Sequence, residues 1–152
     1  MKRILVVLAA VLVSSCNLDT NAPNQPSDPL TETFAPVLGI DLSTMTRTPG
    51  GAFYKDLKTG SGTPITGLPS VTISYVEFLK NAAIVGQLIA VTQDLTVMIQ
   101  GIQEGVQGMK PGGERMLVIP SALGYGISPS TAGVPPNSTL VVDIVFNSYP
   151  SQ

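Results

Sequence analysis

The chain opens with two cations, Lys2 and Arg3, followed by an unbroken apolar block, Ile4–Val13. As a helix, ten residues span about 15 Å, roughly half a bilayer core. A charged start, a short apolar run and small residues after it make residues 1–15 a secretory signal peptide rather than a spanning helix. The pattern then turns polar. Over residues 17–50, Pro23, Pro26, Pro29, Pro36 and Pro49 stand among Asn, Thr, Ser, Gln and Asp. Proline at this density blocks helix and ladder pairing and favours extended chain. Residues 16–50 are therefore expected to form a tether, with Val37–Leu42 open to either spacer or packing.

From Gly51 to the C-terminus the apolar positions become periodic, which predicts a folded domain over residues 51–152. Residues 52–57 read as a short strand. Residues 71–79 are β-branched and aromatic, with Val71, Ile73 and Tyr75 on one parity, a strand signature. Residues 87–92, 114–120 and 139–146 read as further strands. Between them, Ile99, Ile102 and Val106 fall at i, i+3 and i+7, one face of a helix over residues 97–109. Gly101 and Gly105 lie within it, each costing about 1 kcal/mol relative to alanine. Close approach of the helix backbone to a sheet offsets that cost. Lys110-Pro111-Gly112-Gly113 ends the helix. A long loop with Gly124, Gly126, Pro129, Gly133, Pro135 and Pro136 precedes the last strand. Strands, one short helix, then strands imply an α+β fold, an antiparallel sheet wrapped over the helix.

Composition narrows the chemistry. The 152 residues are 43% hydrophobic, 12% charged and 5% aromatic, with 8 basic and 10 acidic side chains for a net charge of −2. No stripe of cations is available for phosphates, so nucleic acid is not an expected partner. There is no His, hence no usual general base and none of the commonest metal ligand. One Cys permits neither an internal disulfide nor a thiolate metal cluster. No metal or cofactor is expected.

That Cys is Cys16, preceded by Val13-Ser14-Ser15. The sequence resembles the lipobox of bacterial lipoproteins, and the resemblance implies that Cys16 is lipidated and becomes the mature N-terminus. The alternative is a plain signal peptide whose Cys is incidental. Acyl chains would hold the protein on a membrane surface without spanning it. Loss of residues 1–15 removes both leading cations, so charge would not add to the attachment. The implied location is the cell envelope, facing the periplasm or the exterior.

The stretch Met98-Ile99-Gln100-Gly101-Ile102-Gln103-Glu104-Gly105-Val106-Gln107-Gly108-Met109-Lys110-Pro111-Gly112-Gly113 resembles the helix and turn of FKBP-type peptidyl-prolyl isomerases. Arg115–Pro120 resembles their next strand. Leu123-Gly124-Tyr125-Gly126 and the run from Val134-Pro135-Pro136 to Asp143 resemble their closing loop and last strand. The likeness covers residues 50–148. It implies an FKBP-like half-barrel, a curved antiparallel sheet across one short helix, with an apolar pocket for a proline ring between them. It also implies proline-containing polypeptides, and a macrolide, as ligands.

The activity so implied suits this composition. An X–Pro bond rotates over a barrier of about 20 kcal/mol, in tens of seconds unaided. The twisted amide is less polar than either planar form, so a dry pocket favours it by differential binding. No proton leaves and no covalent bond forms. A 10⁵-fold acceleration requires about 7 kcal/mol of selective stabilisation. Carried over residue by residue, Tyr125 matches a loop tyrosine whose hydroxyl bonds a ligand carbonyl. Tyr75 matches a pocket-wall tyrosine, and Ile99 a residue whose backbone N–H bonds another ligand carbonyl. Met98 matches an apolar lining position.

Other positions depart from the pattern. Ile102 stands where a large aromatic forms the pocket floor, and Val142 where phenylalanine is usual. Val85 and Gly86 replace a Phe-Asp pair, and Ile89 is the nearest match to a further pocket aromatic. The pocket is expected to be apolar but wider, without the Asp that anchors its polar network. Two functions follow: an isomerase assisting exported proteins at the envelope, or a catalytically weak binding module or chaperone on the same fold.

Overall fold

Six antiparallel strands form one sheet in a computed structural model that describes residues 25–127 and 133–150. The signal segment, Cys16 and residues 17–24 lie outside the described residues, as do residues 128–132 of the long loop. The strands are Thr46–Arg47 (β1), Phe53–Lys58 (β2), Ser70–Leu79 (β3), Ile84–Asp94 (β4), Gly113–Ile119 (β5) and Leu140–Ser148 (β6). Their order across the sheet is β1-β2-β5-β6-β3-β4. The helix, Gln100–Gly105 (α1), lies in the chain between β4 and β5.

Period-two patterning sorts the side chains onto two covered faces. Ile73, Leu117, Ile119, Val142, Ile144 and Phe146 fall on the inner face and share one buried cluster with Ile102 and Val106 from the helical segment. The helix backbone comes close to this face. A Cβ at Gly101 would overlap the Ile119 side chain, and one at Gly105 would stand 2.7 Å from Leu117 Cδ2. The paired glycines thus do what their spacing predicts.

The helix is one and a half turns rather than the predicted span of residues 97–109. Leu95–Val97 forms a separate 3-10 turn, capped by Asp94, whose carboxylate accepts from the Thr96 amide at 2.9 Å. At the other end Arg115 reaches from β5 and donates through Nη1 to the carbonyls of Gly105 (2.6 Å) and Gln107 (2.9 Å). Those carbonyls would otherwise be orphaned by the helix terminus. Arg115 Nε pairs with Asp56 at 2.6 Å, and its guanidinium lies 4.3 Å from the Tyr54 ring centroid. Periodicity cannot register a capping arginine that arrives from another element.

The outer face corrects the expected tether. Phe34, Leu38, Ile40, Leu42 and Met45 pack against Phe53, Val118 and Val141, and β1 pairs with β2 through Thr46–Tyr54 and Arg47–Phe53. The folded body therefore includes residues well before the expected boundary at 51. Nor is the segment simply extended, as its proline density predicts: Pro29–Thr31 and Pro36–Leu38 are 3-10 turns, and Thr46–Arg47 joins the ladder. The scattered large apolar residues between them were the packing signal.

Candidate active site

Among the partly exposed side chains that pack on the inner cluster are five picked from the sequence. They are Tyr75 from β3, Val85 from β4, Met98 and Ile99 just before α1, and Tyr125 from the loop after β5. Beneath them Ile102 and Val142 are fully buried in the same cluster. Partly exposed apolar and phenolic side chains on a buried apolar cluster suit contact with a nonpolar ring. The structure thus brings seven of the eight residues picked from the sequence to one cluster, with Ile102 and Val142 in its core.

Ile89 is the correction. Its side chain is 70% exposed. The cause is a β-bulge: Ile73 pairs with Val91 and Tyr75 with Leu88, so Ile89 and Ala90 together oppose Ser74. Ala90 takes φ +50°, and its amide donates to Ser74 Oγ at 2.9 Å. The extra residue shifts the parity of β4. Leu88, not Ile89, therefore stands on the face of Tyr75. A second register shift, between Glu77–Gly86 and Phe78–Ile84, leaves Val85 without a partner and lets it reach the inner cluster.

The loop that carries Tyr125 is fixed from both sides. Gly124 and Gly126 amides donate to the Ser121 carbonyl at 3.0 and 2.8 Å, and the Asn137 amide donates to the Gly126 carbonyl at 2.8 Å. Ser121 is tied to the N-terminal segment: the Ser27 amide donates to Ser121 Oγ at 2.8 Å and the Ser121 amide to Ser27 Oγ at 2.7 Å. Ile99 precedes the helix at φ −60°, ψ 147°. Its carbonyl accepts from Ile102 and Gln103, while its own N–H has no acceptor among the described residues.

One residue of this site was not picked from the sequence. Glu77 shares the parity of Ile73 and Tyr75 and stands opposite Val142 on β6 and Gly86 on β4. It is 3% exposed. Tyr125 Oη donates to Glu77 Oε2 at 3.4 Å. Burial raises the Glu77 carboxyl above its usual range, the Tyr125 bond opposing. Burial and the Glu77 charge push the Tyr125 phenol up to about 12, with Tyr75 adding to the effect. Burial, then Glu77, raises Tyr75 as well. Both phenols are therefore neutral donors at physiological pH. Strict alternation along β3 was the available signal for Glu77.

Glu104 is a latch between α1 and the segment before β2. It accepts from Thr48 Oγ1 at 2.8 Å, the Gly50 amide at 2.9 Å and Gln100 Nε2 at 2.9 Å. Burial would raise its carboxyl, but these bonds together hold it below the usual range.

One antiparallel sheet packs on one short helix, and seven of the residues picked from the sequence share the cluster between them. The comparisons agree: residues 62–147 match the family described as FKBP-type peptidyl-prolyl cis-trans isomerase. The FK506-binding protein of Neisseria meningitidis serogroup B is 34% identical over 101 residues, which cover 62% of this chain and 93% of that protein. A probable FKBP-type peptidyl-prolyl cis-trans isomerase of Haemophilus influenzae is 34% identical over 110 residues, 70% of this chain and 44% of that one. Among solved structures, the peptidyl-prolyl cis-trans isomerase of Pseudomonas syringae superposes with a TM-score of 0.66 at 25% identity, covering 71% and 82% of the two chains. This chain belongs to the FKBP-type family, and its activity is peptidyl-prolyl cis-trans isomerisation.

Proposed function

We propose that the chain isomerises X–Pro bonds of exported polypeptides at the cell envelope, from a lipid anchor on Cys16. The observation that supports the site is that Tyr75 and Tyr125 pack on the one cluster that holds the buried Ile102 and Val142. A prolyl ring on that cluster leaves water. Its amide then rotates where the less polar twisted state is favoured over the planar ones. Tyr125 Oη, on giving up its long bond to Glu77, and the Ile99 N–H supply donors for carbonyls on either side of the ring. The anchor rests on the sequence of residues 2–16, and a macrolide that mimics the twisted amide is the expected competitor.

Exchange NMR on a short X–Pro peptide tests the site. The chain beginning at residue 17 should accelerate exchange at micromolar concentration, and Tyr125→Phe should cut kcat/KM about three- to tenfold, the worth of one hydrogen bond. Rates equal to buffer would leave a binding module. For the anchor, the full chain expressed in a bacterium should enter the detergent phase, and Cys16→Ser should return it to the aqueous phase. A wild-type protein that stays aqueous contradicts the lipid anchor.

A further inference from the structure

We propose that Glu77 is the pocket carboxylate of this isomerase, a positioning residue that holds Tyr125 and offers its remaining acceptor capacity to an N–H or O–H donor of the bound prolyl segment. Gly86, across the strand pair, is the notch that admits it. The proposal rests on the assignment of Tyr75 and Tyr125 to the site.

The geometry is specific. Glu77 and Gly86 are direct cross-strand partners, so their side-chain positions share one face. A Cβ at Gly86 would overlap Glu77 Oε2 and would stand 3.4 Å from Glu77 Cδ. The Glu77 carboxylate therefore occupies the volume that any side chain at 86 would claim. Resemblance to the family implies an Asp at 86, and the sequence alone suggests that the pocket has lost it. Instead a carboxylate from the neighbouring strand, that of Glu77, lies against position 86.

Stability does not account for a carboxylate here. Its cross-strand neighbour on β6 is Val142, and burying a charge in such surroundings is costly unless donors reach it. The Tyr125 bond, at 3.4 Å, is long for an O–H donor to a carboxylate. An under-bonded acceptor at the rim of a ligand site is poised to take a second donor when the site fills. The titratable groups facing it among the described residues are Tyr75 on its own strand and Tyr125 on the loop. From β4 and β6 it meets Gly86 and Val142, which do not titrate.

The test is a cycle of Glu77→Gly, Gly86→Asp and the double variant, with Glu77→Gln as the shape-preserving control and Tyr125→Phe in parallel. Each is measured by exchange NMR on an X–Pro peptide between pH 5 and 8 and by urea unfolding. Glu77→Gly and Glu77→Gln should each lower kcat/KM about tenfold. The wild-type profile should show an ionisation above the usual Glu range that Glu77→Gln removes, which a purely structural role would not produce. Gly86→Asp should lose stability and activity, and the double variant should regain activity to within about threefold of wild type. Losses that simply multiply in the double variant would overturn the proposal. So would Glu77 variants with wild-type rates and profile while Tyr125→Phe is impaired. If Tyr125→Phe is silent too, the site assignment falls with it. The unfolding arm reads the 77–86 coupling without reference to isomerase activity.

Discussion

Ile102 shows how far one side chain can be read in isolation. Its place in the helical period put it toward the sheet, and resemblance made it a floor residue in the position of a large aromatic. The first holds, and at 1% exposure the side chain is closed into the core. Ile102→Trp therefore adds bulk to a packed site and should cost about 1–3 kcal/mol of stability rather than simply deepen the pocket; chemical denaturation measures it. An activity gain with unchanged stability would show that the floor is under-filled. Ala90 gives the opposite kind of prediction. It holds φ +50° at the bulge, a backbone that disfavours any Cβ. Ala90→Gly should thus raise stability, by up to about 1 kcal/mol. The placement of Tyr125, Tyr75 and Ile99 on the inner cluster was legible because their motifs are local. Glu77 and Ile89 were not, because each depends on a partner strand: one on Gly86, the other on a bulge.

At the level of elements, period two and period 3.6 located five of the six strands and the helix. They overran the helix because its end is set by tertiary contacts, the Arg115 cap and the Ile65–Met109 pairing, in which the Ile65 amide donates to the Met109 carbonyl at 2.8 Å. The Gly101–Ile119 and Gly105–Leu117 approaches fix the distance between helix and sheet. Gly101→Ala should gain about 1 kcal/mol of helix propensity. Displacing Ile119 from a full core costs about 1–3 kcal/mol. A net loss of stability with a larger loss of isomerase rate is expected. Unchanged melting and turnover would mean that the helix does not set the site.

Over the whole molecule, the outer face was the least legible feature, since a proline-rich segment reads as spacer until its sparse Phe, Leu, Ile and Met are seen to share a surface. That segment also reaches the site through the Ser27–Ser121 pair. A chain beginning at residue 51 should be at least about 2 kcal/mol less stable than one beginning at residue 25, given several partly buried apolar side chains at about 1 kcal/mol or more each, less ordering entropy. Equal urea midpoints would return the segment to a tether. The pH dependence follows from the carboxyls. Glu77 and Asp143 are raised, Glu77 by burial and Asp143 by burial and then Glu114. Stability from raised carboxyls is full below their unfolded values and is lost as pH climbs through their folded ones. Asp41, Asp94 and Glu104 are lowered, so their contribution persists at neutral pH and fades only in acid. Urea midpoints should therefore be higher at pH 5 than at pH 8, and Glu77→Gln should flatten that rise.

The most direct measurement is the cis–trans exchange rate of an X–Pro peptide with the wild-type chain and with Tyr125→Phe, at equal concentration and verified folding. Acceleration by the wild type that drops about three- to tenfold on loss of the single hydroxyl places the reaction on the Tyr75–Tyr125 site. Equal rates for the two chains, or none above buffer for either, would place it elsewhere or nowhere.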